Sequence, residues 1–198
     1  SSELKSYGLT AGLTNYSASY ATGLLCSRRL LTCLDKENSN VEGWTSIANR
    51  FNIVPETNGE FIDIEKASEM KDIGRPFTAF LDLGLQRSTN GARVFAAMKG
   101  AVDGGIHIPH NEKIFPRMKV VKKGGKLKKG EEEGPAPLAL RERIFGLHVQ
   151  QYMDILTKKS KDAYNNQFSK WDKCMKDAKV TKVEDLYKRV FTEIRQKP

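Results

Sequence analysis

The sequence predicts an α/β fold, a mixed sheet packed by helices and followed by a C-terminal helical extension. Residues 77–85 alternate apolar and other side chains, which is typical of a strand with one buried face. Residues 14–34 and much of 138–198 instead repeat apolar residues every three or four positions, which indicates amphipathic helices. We therefore expect three parts: a core α/β domain over 1–116, a flexible basic and acidic loop over 117–137, and a C-terminal helical extension over 138–198.

The first predicted helix spans residues 14–34. Thr14 or Asn15 can cap its start. Gly23 in the helix interior costs about 1 kcal/mol relative to Ala, so we expect a close neighbour there. The spacing places one set of residues on a single face: Tyr16, Tyr20, Leu24, Ser27, Leu31 and Leu34.

The clearest strand candidate is residues 77–85, with Phe77, Ala79, Leu81, Leu83 and Leu85 on one face. Its candidate neighbours are weaker. They are two short segments around the Asn58-Gly59 turn signal, and an extended piece after a Gly-Gly pair: residues 51–54, 61–64 and 106–109.

The remaining periodic segments predict helices. Gly100 is expected to end one of them, and Thr181 with Glu184 forms a capping-box pattern that opens the last one. The last helix carries an apolar stripe from Val183 to Ile194. The expected ranges are 92–99, 138–158, 162–173 and a final helix from about 181.

Positive charge is concentrated in the second half of the chain. The 33 Lys and Arg against 24 Asp and Glu give a net charge of +9. Residues 1–99 are balanced, with 11 of each sign, so residues 100–198 carry the whole excess, 22 against 13. Eight basic residues and no acid lie between Lys113 and Lys129. This density is typical of a surface that binds a polyanion, although a solvated loop would look the same.

A second feature, from Arg87 to Phe115, favours RNA. Glycines and small hydroxylated residues let backbone N–H groups approach phosphates, and a helix beginning at Ala92 directs a partial positive charge outward. Arg87, Arg93, Lys99 and Lys113 supply cations, while His110 and Phe115 supply rings for base stacking. A purely structural turn is the alternative.

Catalytic motifs are absent from the sequence, since it has no phosphate-binding loop, HExxH, CxxC or GxSxG pattern. Two weaker alternatives remain. Asp63, Asp82 and Asp103 on neighbouring strands would suit a metal-dependent nuclease. His107, His110 and His148 would suit a zinc site, but no cysteine or carboxylate accompanies them. We expect no enzyme, cofactor or metal.

Several segments resemble one known family. They are residues 12–31, with Gly12-Leu13-Thr14-Asn15-Tyr16, and residues 80–116, with Phe80-Leu81-Asp82-Leu83-Gly84-Leu85, Lys99 to Gly105 and Ile108-Pro109-His110. Arg143 to Val149 also matches, most closely the eukaryotic form. The family is the 5S rRNA-binding protein of the large ribosomal subunit, universal family eighteen, called large-subunit protein five in eukaryotes.

The resemblance implies a ribonuclease H-like arrangement and a structural role, anchoring 5S rRNA at the central protuberance. It implies a cytoplasmic ribosome, with assembly in the nucleus or nucleolus, and no membrane. The expected partners are 5S rRNA, large-subunit rRNA and neighbouring ribosomal proteins, including the other 5S-binding protein. The expected RNA contacts are Thr14, Asn15, Arg28, Arg87, Thr89, Asn90, Gly91, Arg93, Lys99, Gly104, Gly105, His110, Lys113, Phe115, Lys119, Lys122, Lys123, Lys126, Lys128 and Lys129.

The resemblance also implies that strands preceding this first helix in the family are missing from the chain, which matches the last two-thirds of a divergent member. We expect a separate polypeptide to supply them along the 77–85 strand. A protein-interaction module outside the ribosome, whose basic loop binds an acidic partner, is a further alternative.

Overall fold

Helices, rather than a sheet, make up most of the structure. The computed structural model describes residues 1–39, 46, 48, 76–116, 120–123, 126–129 and 136–198. The predicted α/β fold with a mixed sheet is wrong for these residues, because they are mostly helical. None of the described helices is long and apolar enough to cross a membrane. The α-helices are α1 (Tyr16–Asn38), α2 (Arg93–Asp103), α3 (Ala136–Ile144), α4 (Leu147–Lys159), α5 (Lys161–Asp177) and α6 (Val183–Gln196), with 3-10 helices at Ser2–Tyr7 and Glu112–Ile114.

The segment expected to be the central strand forms only an isolated parallel bridge between Thr78 and His107. The Ala79 N–H donates to the His107 carbonyl, and the His107 N–H donates to the Phe77 carbonyl, both over 2.9 Å. Among the described residues the ladder goes no further, and the chain turns at Leu83, whose carbonyl accepts from the Gln86 N–H. The candidate strands at 51–54 and 61–64 lie outside the described residues.

The strands that do form lie in the predicted flexible loop. Val120–Lys123 (β1) pairs antiparallel with Lys126–Lys129 (β2), with Val120 opposite Lys129 and Lys123 opposite Lys126. In the sequence, Gly124 and Gly125 separate the two strands, a pair that two-residue hairpin turns favour. The Gly-Gly pair therefore indicated a hairpin, whereas the high lysine content of the segment favoured the prediction of a flexible loop.

Helix α1 is confirmed and is longer than expected. Asn15, rather than Thr14, caps it by accepting a hydrogen bond of 2.8 Å from the Ala18 N–H. The Asn15 amide also donates to the Tyr187 hydroxyl on α6 over 2.8 Å. The cap therefore joins the start of α1 to the last helix.

Helices α1 and α2 approach closely where both carry glycine. A Cβ on Gly23 would lie 1.8 Å from the Ala97 carbonyl oxygen, and one on Gly100 would lie 2.0 Å from the Tyr20 carbonyl oxygen. The close neighbour expected at Gly23 is confirmed. The prediction that Gly100 ends α2 is wrong, because the helix continues to Asp103. Glycine is needed at this position because a side chain would clash with the backbone of α1.

Helix α6 buries the whole predicted stripe in the core, namely Val183, Leu186, Tyr187, Val190, Phe191 and Ile194. Its start differs from the prediction. The N-cap is Lys182 and makes no side-chain capping bond, so the Thr181 and Glu184 capping box is wrong. The Val183 N–H donates instead to the Gln150 side chain of α4 over 3.2 Å, a partner distant in sequence.

The predicted helix 138–158 is two helices, α3 and α4, which are separated at Gly146. This residue has a φ of 72°, which glycine adopts without strain. A Cβ there would lie 2.9 Å from the Tyr187 ring and 3.0 Å from Val183. The break therefore lets α6 pack against the junction.

Helix α5 begins after Ser160, and its C-cap Ala178 is followed by a left-handed residue, Lys179, with a φ of 54°. The Lys179 N–H donates to the Lys176 carbonyl and the Val180 N–H to the Met175 carbonyl, both over 3.0 Å. This is the Schellman pattern, in which the left-handed position is usually glycine. A lysine there costs about 1–2 kcal/mol.

A buried polar network lies between α1, α2 and α6. Lys99 and Asp103 are 1% and 0% exposed and form an ion pair one helical turn apart. The Tyr20 hydroxyl donates to the other Asp103 oxygen over 2.6 Å. Burial, and next the Asp103 charge, raise the pKa of Tyr20, while Arg195 of α6 opposes this shift. Asp103 is the only buried acidic residue among those described, and the Lys99 ammonium balances its charge.

The helix crossing predicts the effect of Gly100→Ala. Alanine favours a helix interior by about 1 kcal/mol over glycine. Here its Cβ would meet backbone atoms that cannot rotate away, so we expect the free energy of unfolding to fall by about 3 kcal/mol. Chemical denaturation measures this. Val94→Ala, at an exposed position on the same helix, is the control and should change stability by less than about 0.5 kcal/mol. Equal stability of Gly100→Ala and the wild type would contradict the packing.

The buried ion pair predicts non-additive mutations. Asp103→Asn leaves the Lys99 ammonium buried without its counter-charge and should cost about 3–5 kcal/mol of unfolding free energy. The double variant Lys99→Met/Asp103→Asn removes both charges and should be more stable than Asp103→Asn alone. A denaturation double-mutant cycle measures the coupling. The cycle also needs Lys99→Met alone. If the double variant lost as much unfolding free energy as Lys99→Met and Asp103→Asn together, the two residues would not act as a pair.

Candidate nucleic-acid interface

Two sequence-distant segments meet at one surface. The Gly91 N–H donates to the Ile114 carbonyl over 2.7 Å, which holds the 89–92 turn against the 3-10 helix Glu112–Ile114. The Ala92 N–H closes the same turn by donating to the Thr89 carbonyl over 3.0 Å. The structure therefore brings together both ends of the predicted 87–115 feature.

Helix α2 begins at this surface without a side-chain cap. Its N-cap is Ala92, and its first turn contains no acidic residue. Among the described residues, the N–H groups of Arg93 and Val94 have no hydrogen-bond acceptor. Unsatisfied N–H groups and the helix dipole together favour an anion at such an end.

Exposed cations surround this helix end. Arg93 is exposed, and its guanidinium donates to the Thr14 carbonyl over 2.7 Å, which brings the exposed Thr14 to the same region. Lys113 is exposed as well, and its backbone N–H donates to the Asn111 side chain over 3.0 Å. Sequence reasoning missed Asn111 as the residue that positions Lys113. An Asn directly before a short helix is the signal that could have found it.

The exposed members of the predicted contact set are Thr14, Arg87, Thr89, Asn90, Arg93, His110 and Lys113. His110 makes a ring contact with Phe115 at 5.3 Å between centroids, and its Nδ1 lies 2.6 Å from the Ile108 carbonyl. These two contacts fix the orientation of the His110 ring, although the residue is exposed to solvent. These residues remain predicted contacts.

Other members lie in the core and cannot reach a surface ligand in this structure. Lys99 is paired with Asp103. Arg28, expected to contact RNA, is 4% exposed, and its guanidinium donates to the Ala48 carbonyl over 2.8 Å. Burial lowers the pKa of Arg28, and nearby Arg195 adds to this shift. Phe115 is 1% exposed, so it cannot stack on a base.

The expected backbone donors are occupied as well. The N–H groups of Gly91, Gly104 and Gly105 donate to the carbonyls of Ile114, Gly100 and Val102. Asn15 is committed to the α1 cap and to Tyr187. In this structure these groups are therefore engaged in hydrogen bonds within the protein.

The predicted lysines of the basic loop are only partly placed. Lys119 lies outside the described residues. For the hairpin, the structure describes the backbone, which contains Lys122, Lys123, Lys126, Lys128 and Lys129. Their role as contacts stays a prediction.

The catalytic alternatives find no support in the described part of the chain. The Asp103 carboxylate is buried and bound by Lys99 and Tyr20, whereas Asp82 is exposed and accepts from the Gly84 N–H over 2.8 Å. Asp63 lies outside the described residues. Among those described, no group of three or more His, Cys, Asp or Glu side chains could hold a metal ion.

Several similar proteins are large ribosomal subunit proteins named uL18. The chain is 40% identical to large ribosomal subunit protein uL18 of Tetrahymena thermophila, and the match covers 99% of this chain and 59% of the relative. It is 41% identical to uL18 of Eimeria tenella and 39% identical to uL18 of Saccharomyces cerevisiae. These matches cover 100% of this chain and 57% and 58% of those relatives. The chain therefore spans more than half, but less than two thirds, of the length of these relatives.

The family resemblance that was inferred from residues 12–31 and 80–116 agrees with a comparison of the chain with known families. The model described as ribosomal large subunit proteins 60S L5 and 50S L18 matches residues 1–111, more than half of the chain. The recognition is thus confirmed at the level of the family, whose members are structural ribosomal proteins rather than enzymes. This chain belongs to the family of ribosomal large-subunit proteins 60S L5 and 50S L18.

Proposed function

We propose that this chain is a structural component of the large ribosomal subunit that binds 5S rRNA and helps to anchor it at the central protuberance. The observation that carries the proposal is the uncapped start of α2, beside the exposed cations Arg93 and Lys113, with the exposed Arg87 on the segment that leads into the helix. Family membership supports the ribosomal setting. The name of the relatives, large ribosomal subunit protein uL18, supports a place in the large subunit.

The chemistry of this surface suits a phosphodiester backbone. Two free N–H groups at the helix start can bind phosphate oxygens, and the three cations lie on segments that the Gly91 to Ile114 hydrogen bond holds together. Thr89 and Asn90 add exposed polar side chains, and His110 adds an exposed ring. No acid lies in the first turn of α2 to repel the phosphates.

The lysine-rich hairpin extends the proposal to a second element. Its residues 120–129 hold five lysines and no acid, and a two-stranded hairpin alone is only marginally stable in water. Binding to RNA phosphates would relieve the lysine repulsion and stabilise the hairpin. Its cations would then add to those around α2.

The proposed partners follow from this setting. They are 5S rRNA, large-subunit rRNA and neighbouring ribosomal proteins, including the other 5S-binding protein. The corresponding location is the cytoplasmic ribosome, with assembly in the nucleus or nucleolus.

A protein partner is also supported by the edge of the 77–80 segment. Because Phe77 and Ala79 direct their backbone groups toward His107, those of Thr78 and Phe80 face the other way. Among the described residues these groups have no backbone partner. Phe80 is 84% exposed, and Leu85 is as exposed as in an extended chain. An extended segment of a separate polypeptide would pair with this edge and cover the apolar side chains.

The RNA proposal predicts the behaviour of the triple variant Arg87→Gln/Arg93→Gln/Lys113→Gln. Loss of three phosphate contacts should reduce the slope of log affinity against log salt by about 2–3 for a 5S rRNA transcript. Affinity should fall at least tenfold near 100 mM salt. Filter binding or fluorescence anisotropy across a salt series measures both values.

The matched control is Lys5→Gln/Lys36→Gln/Lys197→Gln, which removes the same charge from exposed positions elsewhere. It should keep nearly the wild-type slope. If both triple variants lost the same affinity for the transcript, RNA binding would depend on the net charge of the protein and not on this surface. A wild-type chain without affinity for the transcript would refute the proposed function.

The partner proposal predicts what lies beside the 77–80 segment in the assembled particle. A cryo-electron microscopy structure of the native large subunit should show an extended polypeptide hydrogen-bonded to Thr78 and Phe80. Phe80 and Leu85 should be buried against it, since exposed apolar edges favour strand addition. Solvent or RNA along this edge would contradict the proposal.

A further inference from the structure

Four exposed lysines recur at every third residue along α5 and its end. They are Lys170, Lys173, Lys176 and Lys179, which we name the α5 lysine row. A three-residue step rotates a helix by about 300°, so the three lysines within α5 lie in an arc of about 120°. The row therefore occupies one side of the helix.

Acidic residues lie near the row on the described helix α5, since Asp172 and Asp177 are one turn from Lys176 and Lys173. Among the described residues, no carboxylate forms an ion pair with any of the four ammonium groups. On α6, by contrast, Lys188 pairs with Glu184 at 2.8 Å and Arg189 with Glu193 at 2.9 Å. Like charges one turn apart destabilise a helix. Only Lys176, in the last turn, gains from the helix dipole.

The opposite face of α5 fixes the helix to the core. Phe168, Trp171 and Cys174 are buried there. The Trp171 ring lies so close to Gly12 that a Cβ on this glycine would be 2.2 Å away. The row is thus presented on a rigid element, which reduces the entropy lost on binding a ligand.

The last member of the row occupies a strained backbone position. Lys179 has a φ of 54°, where glycine or asparagine would be more stable. Its side chain forms no ion pair and is exposed, so no contact within the described protein accounts for a lysine there. A strained residue without a structural reason points to a function. Here the function would be to extend the row beyond the end of the helix.

We propose that the α5 lysine row binds the phosphodiester backbone of structured RNA, as a site additional to the surface around α2. The inference rests on the proposed RNA-binding function and adds a second site to it. From Lys170 to Lys179 the row covers about 14 Å, which is long enough to meet several consecutive phosphates. Lysine contacts to phosphates carry no base information, so the row binds RNA irrespective of sequence.

The test compares the wild type with Lys170→Gln/Lys173→Gln/Lys176→Gln. The probes are a 5S rRNA transcript and an unrelated RNA duplex of roughly 24 base pairs. Between about 50 and 200 mM salt, wild-type affinity should fall about 20–40-fold more than that of the variant, because three phosphate contacts are lost. The matched control is again Lys5→Gln/Lys36→Gln/Lys197→Gln, and circular dichroism verifies that the total helical content is unchanged.

The outcomes separate this inference from the proposed function. If the row variant loses affinity for both RNAs and the control variant does not, the result supports RNA binding by the α5 lysine row. If the row variant and the control behave alike while Arg87→Gln/Arg93→Gln/Lys113→Gln loses affinity, the row is refuted and the proposed function stands. Loss confined to the 5S rRNA transcript would refute a sequence-independent backbone site. No binding by the wild type would refute both.

A second variant distinguishes binding from stability. Lys179→Gly relieves the left-handed strain and should raise Tm by about 2–4 °C. It should also lower the salt slope for RNA binding by about 0.7–0.9, the value of one lost phosphate contact. Lys179→Arg keeps the charge and should change neither value. A higher Tm with an unchanged salt slope would show that Lys179 does not contact RNA.

Discussion

The contact between α1 and α2 is the constraint on which the rest of the structure depends. Gly23 and Gly100 let the two backbones approach so closely that a single methyl group would overlap a carbonyl oxygen at either position. Gly104 extends the contact, since a Cβ there would lie 1.8 Å from the Ser27 hydroxyl. Glycine normally weakens a helix. Here the lost propensity is offset by burial of Tyr20, Leu24, Met98 and Val102 against one another.

This crossing also positions the charged groups of α2. Its buried side carries Lys99 and Asp103 into the core, where Tyr20 completes their hydrogen bonding. Its start faces outward, and Arg93 is tied to the Thr14 carbonyl at the beginning of α1. The helix that fixes the core therefore also presents its free N–H groups at the proposed RNA surface.

The cations of this chain divide into two groups with different physical roles. Lys99, Arg28 and Arg195 are buried and satisfy carbonyls or lie within a network that contains Asp103. Arg87, Arg93, Lys113 and the α5 lysine row are exposed, where their charge can act on a polyanion. Residue type alone does not separate the two groups, because a long basic side chain can turn its charge toward either environment.

The sequence by itself determined the family, the presence and buried face of α1, and the stripe of α6. These features depend on local periodicity and on residue patterns that hold in any surroundings. Only the tertiary structure decided that residues 77–79 form a single bridge rather than a strand, because a ladder requires a neighbour. It also decided that Gly146 divides a predicted helix, that Gln150 caps α6, and that Lys99 and Arg28 are buried. Each of these depends on a partner far along the chain, and such contacts arise only when the helices pack.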